Sequence, residues 1–78
     1  MGYNQAKHTM ALRSIYVFDN KEDFEAAKSA LDYHFGGFSE STGVYWNAWK
    51  EISIYDECPD IYKAASICRE HGGKYRNP

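Results

Sequence analysis

Two Gly-Gly pairs constrain this 78-residue chain more than any other feature, because each closes an amphipathic stretch that follows a β-prone run. Gly36-Gly37 comes after Phe24, Ala27, Leu31 and Phe35, and Gly72-Gly73 comes after Ile61, Ala64, Ala65 and Cys68, with Ile67 widening the second set. Apolar residues three and four apart form one helical stripe that must be buried, and glycine readily adopts the left-handed conformation that ends a helix. The starts are marked as well. Asn20 can cap a helix whose first turn carries Glu22, Asp23 and Glu25, while Pro59 suits a first helical turn beside Asp56, Glu57 and Asp60. These signals predict helices over Asn20–Phe35 and Pro59–His71.

Two stripes need a surface to cover, and the remaining apolar residues read as strands. Leu12–Phe18 is β-branched and aromatic, and Gly43–Trp46 with Trp49–Tyr55 reads as a hairpin reversing near Asn47-Ala48. Lys74–Arg76 can add a short edge strand. Ser14-Ile15-Tyr16 and Ser53-Ile54-Tyr55 open two similar strand-helix units, a likeness that shared fold constraints explain as well as duplication does. The order β-α-β-β-α, with a possible terminal β, predicts an α+β ferredoxin-like two-layer sandwich, two helices on one face of an antiparallel sheet. A βαββα form without the fourth strand is the alternative. Residues 1–9 are polar and without period, a loose arm ahead of a single domain over residues 10–78.

Leu, Ile, Val and Phe make up only 13 of the 78 residues, whereas 17% are aromatic, so the core must draw on rings and alanine. The predicted core is Phe24, Ala27, Leu31, Ile15, Val17, Ile52, Ile54, Ile61, Ala65 and Cys68. A net charge of −2 supplies no general attraction for nucleic acid or anionic lipid. The N-terminus has no apolar signal-peptide core, and two cysteines fall short of a disulfide framework; both point to a cytoplasmic protein with reduced thiols.

Catalytic signatures are missing: the sequence has no GxSxG, no GxxxxGK[ST] and no GxGxxG. The expectation is a non-enzymatic protein with no cofactor. Cys58, Cys68, His71 and His34 could form a small zinc site, but they lack a tight Cys-x2-Cys or His-x3-His pair, and burial or helix-end placement accounts for each.

Strand parity carries the functional expectation. With Ile15, Val17, Ile52 and Ile54 turned to the helices, Tyr16, Phe18, Ser53 and Tyr55 lie on the far face, joined by Tyr45 and Trp49. Contiguous exposed aromatics exceed what a monomer normally shows, and such rings dominate binding hot spots. The competing readings are a roof formed by the arm or by residues 38–43, or an inverted register. The partner-binding candidates are therefore Tyr16, Phe18, Tyr45, Trp49 and Tyr55, with Asp56 and Glu57 steering toward a basic surface such as that of a nucleic-acid-binding protein. A homodimer is compatible with this pattern.

Aromatics on the central strands of an open sheet resemble the RNA-recognition fold, which implies single-stranded RNA as an alternative ligand. That family's [KR]-G-[FY]-[GA]-[FY] signature is not present; the corresponding stretch is Lys50-Glu51-Ile52-Ser53-Ile54-Tyr55, bordered by acidic residues of the wrong sign for phosphate. Small size, mild acidity and abundant tyrosine also resemble, in style, the compact inhibitors that phages encode against host machinery, anti-CRISPR proteins included. That likeness assigns no residue a role.

Overall fold

In the computed structural model of the protein, residues 12–36 and 42–76 are described. The predicted arm lies outside them, as do residues 38–41 of the second segment considered as a roof. Six elements follow in order: β1 (Leu12–Val17), α1 (Lys21–Phe35), β2 (Val44–Asn47), β3 (Glu51–Tyr55), α2 (Ile61–Glu70) and β4 (Lys74–Arg76). The four strands form one antiparallel sheet in the order β2-β3-β1-β4. The short terminal strand is therefore present, paired along β1 through Ile15–Arg76, Tyr16–Tyr75 and Val17–Lys74.

The helix ends follow from local chemistry. Asn20 accepts a hydrogen bond from the Asp23 backbone N–H at 2.8 Å, satisfying a donor with no partner inside α1. Gly36 ends α1 in the left-handed region and donates to the Asp32 carbonyl. In α2 the cap is Asp60, which accepts from the Lys63 N–H at 3.0 Å. Pro59 thus precedes the cap instead of occupying the first turn, because the Asp60 carboxylate competes better for those donors.

Phe24, Ala27 and Leu31 of α1, and Ala64, Ile67 and Cys68 of α2, join Tyr16, Phe18, Val44, Ile52 and Ile54 in one core cluster. Both helices therefore cover the same sheet face. Ile61 and Ala65, predicted as core, are partly buried against this cluster. Gly43 (φ 67°) brings the start of β2 against the segment after β3, where a Cβ would lie 2.3 Å from the Cys58 backbone nitrogen. Tyr55 donates to the Gly43 carbonyl across the same junction.

The facing of β1 is opposite to the prediction. β3 behaves as expected, with Ile52 and Ile54 buried, but Tyr16 pairs with Ile52 and Ser14 with Ile54, so Ser14, Tyr16 and Phe18 turn toward the helices. Ile15 and Val17 lie on the outer face opposite Ser53 and Glu51, where Ile15 is buried, as predicted for a core residue, and Val17 is half-buried. Both faces of β1 are apolar, so alternation alone does not choose between them. Turning the two rings inward buries the larger area. The tyrosine hydroxyl is also provided for, accepting from Arg69 Nη1 at 3.1 Å. Gly73 makes the space: a Cβ there would stand 2.8 Å from Phe18 Cζ.

Candidate functional site

The inverted facing of β1 removes two of the predicted anchors from the surface. Tyr16 is 4% exposed and Phe18 1%, and both are core residues, with Phe18 against Phe24 at 5.9 Å between ring centroids. Tyr45 and Tyr55 do reach the outer face, half-buried, with ring centroids 5.3 Å apart at 77°. That edge-to-face geometry is a favoured one for aromatic pairs. Beyond them the outer face carries Ile15 and Val17, and Arg76 reaches across β1 to Glu51 at 2.8 Å. The two central strands are β3 and β1, so the face offers one tyrosine pair at its β2-β3 side instead of rings on both central strands.

Asp56 and Glu57 are exposed, and Asp56 meets Arg13 at 3.3 Å. Exposed pairs of this kind contribute about 0–1 kcal/mol. The two acids follow the end of β3 that lies away from the hairpin turn. Five strand residues separate them from that turn, roughly 17 Å at the usual rise, so they do not form one compact patch with Trp49.

Trp49 lies in the turn itself, which occupies residues 48–50, slightly later than predicted, with Lys50 at φ 63°. A three-residue hairpin loop calls for a left-handed residue at this position, one that glycine fills most readily. The turn is held by hydrogen bonds on three sides. Asn47 Oδ1 accepts from the Trp49 N–H at 2.8 Å, Asn47 Nδ2 donates to Glu51 Oε1 at 3.0 Å, and the Lys50 carbonyl accepts from the Phe18 N–H at 2.9 Å. The result is an indole 75% exposed on a fixed backbone.

Sequence reasoning missed Trp46, which shares its face with Ile52 but sits on edge strand β2 and is 47% exposed. Its ring stands edge-on to Phe24, and the Lys28 ammonium lies 3.7 Å from its centroid. Trp46 and Phe24 wall a groove of about 340 Å³ between α1 and the hairpin, with Lys21, Glu25, Lys28 and Lys50 around it. A signal was available in the sequence, since Lys28 is four residues from Phe24 on the edge of the buried stripe. Tyr33 and Tyr62 are also exposed, one on each helix.

Neither thiol is set up as a nucleophile. Burial pushes Cys68 up to about 12, and it raises Cys58 as well, opposed by a backbone hydrogen bond at Asp60. Among the described residues no group of three or more His, Cys, Asp or Glu could hold a metal ion, so the geometry lends the zinc alternative no support. No helix among them is long and apolar enough to cross a membrane.

No family model, no curated protein and no solved structure matches the chain, so the functional reading rests on its own residues.

Proposed function

We propose that the chain is a small, non-enzymatic protein-binding module of regulatory or inhibitory type, built on a ferredoxin-like sandwich and acting in the cytoplasm. The observation that carries this reading is Trp49, a largely exposed indole on a turn pinned by Asn47, Glu51 and Phe18. An exposed large ring on a rigid backbone loses little entropy on docking, and tryptophan is the residue most enriched among interface hot spots. Tyr45, Trp46 and Tyr55 belong to the same hairpin, which thus carries aromatic surface on both faces and at its tip. The interface is the hairpin in place of the whole outer sheet face, and Asp56 with Glu57 acts at a distance by steering.

Affinity capture from the source cell tests this, with wild type and Trp49→Ala as paired baits and mass spectrometry as the readout. A protein retained by wild type and lost by Trp49→Ala supports the module. Equal capture by both places the interface elsewhere, and enrichment of RNA alone favours the single-stranded RNA alternative.

A further inference from the structure

The groove beside the hairpin has chemistry of its own. Lys21, Lys28 and Lys50 surround it with Glu25 as the only acid among the described residues that line it, a local excess of positive charge on a chain whose net charge is −2. Among the described residues, the Lys21 and Lys50 ammonium groups have no ion-pair or hydrogen-bond partner. Lys28 is mostly covered, 18% exposed, and its contact to Glu25 is a long 3.5 Å. Lys50 adds an independent observation. It holds a left-handed backbone conformation at φ 63°, where a side chain is strained and glycine would be easier, yet the position places a cation beside the groove.

We infer that this groove binds an acidic peptide segment of the partner, its carboxylates among the three lysines and an apolar neighbour against Trp46 and Phe24. The inference rests on the reading of the hairpin as an interface and names the chemistry of what docks there. A volume of about 340 Å³ suits one or two side chains. A nucleic-acid strand would need a basic track beyond the groove, and the first turn of α1, which supplies Lys21, also carries the acids Glu22 and Asp23. Glu25 already occupies the rim as an internal carboxylate, loosely held over Lys28, and a partner's carboxylate displaces it.

The probe is a fluorescein-labelled heptapeptide of alternating glutamate and leucine, compared by anisotropy with the glutamine-for-glutamate version and with a single-stranded RNA oligonucleotide. The acidic peptide binds and the glutamine version does not, with affinity falling as salt rises. Lys21→Gln and Lys50→Gly each weaken binding by about two- to fivefold. Glu25→Gln strengthens it by a similar factor. Lys50→Gly is the most informative variant, since it relieves backbone strain: its denaturation midpoint is unchanged or raised while affinity falls.

Absence of acidic-peptide binding at millimolar concentration overturns the inference, as does binding that ignores all three substitutions. Tighter binding of the RNA assigns the groove to nucleic acid. Salt-sensitive self-association in sedimentation, abolished by Asp56→Asn with Glu57→Gln, assigns it to the acidic end of a second copy and overturns the partner peptide. Failure here, with partner capture still dependent on Trp49, removes the groove and leaves the hairpin interface standing.

Discussion

Arg69 Nη1 donates a hydrogen bond of 3.1 Å to the Tyr16 hydroxyl, joining the last turn of α2 to a central strand 53 residues earlier in the chain. This contact lets β1 turn a tyrosine inward, because a buried hydroxyl without a partner costs about 1–3 kcal/mol. Removing the ring and removing the hydroxyl should therefore differ sharply. Tyr16→Ala is expected to destabilise the protein by about 3–5 kcal/mol, as truncation of a buried ring does. Tyr16→Phe should cost only about 0.5–1.5 kcal/mol, the net value of one hydrogen bond. Urea denaturation reads both, and a Tyr16→Ala cost near zero would return this ring to the surface.

The α1 stripe gives a second expectation. Leu31 is almost fully buried between the sheet and the helices, and Leu31→Ala should cost about 2–5 kcal/mol. A value below about 0.5 kcal/mol, the range of surface substitutions, would remove Leu31 from the core.

Two glycines with similar positive φ angles should respond differently to alanine. At Gly36 a Cβ meets nothing within 4 Å, so Gly36→Ala carries the strain of a left-handed L-residue alone, about 1–2 kcal/mol. At Gly43 the same Cβ lies 2.3 Å from the Cys58 nitrogen, so the backbone after β3 must move. Gly43→Ala should be clearly the more destabilising of the two by chemical denaturation, and equal effects would contradict the close approach of these segments.

How stability depends on alkaline pH follows from Cys68. Its thiol ionises near 9.0 when unfolded and is pushed up to about 12 by burial in the folded protein. Below pH 9 both states hold the proton and its contribution is complete. Between those values the unfolded chain holds fewer protons, so stability falls as pH rises, by at most about 1.4 kcal/mol per unit for one proton. Cys68→Ala should flatten this part of the stability profile whatever its effect at neutral pH. An unchanged slope would show that Cys68 is not the group responsible.

Much of the fold was legible because its signals are local. Asn20 with Asp23 and the left-handed Gly36 are decided within a few residues of chain, and the structure has them where the sequence places them. The facing of β1 was not legible, since Ile15 and Val17 are as apolar as Tyr16 and Phe18. The choice between them is made by Arg69 and Gly73, more than fifty residues away. The hairpin turn was displaced for a related reason, because lysine at a left-handed position gives no warning of a turn. Strand parity put Tyr45 and Tyr55 on the far face, where they lie half-buried, and it put Trp49 there too, whereas Trp49 is exposed in the turn. Trp46 and its lysines were missed because their groove forms only when α1 packs beside the hairpin.

The most direct measurement is the dissociation constant of the captured partner for wild type and Trp49→Ala, taken by isothermal titration alongside each protein's denaturation midpoint. A central interface anchor costs about 2 kcal/mol or more when truncated, which is roughly a 30-fold loss of affinity. The account predicts that loss with the midpoint unchanged, because an indole 75% exposed contributes little to the fold. Affinity within about twofold of wild type would contradict it, as would a loss that merely follows a collapse in stability.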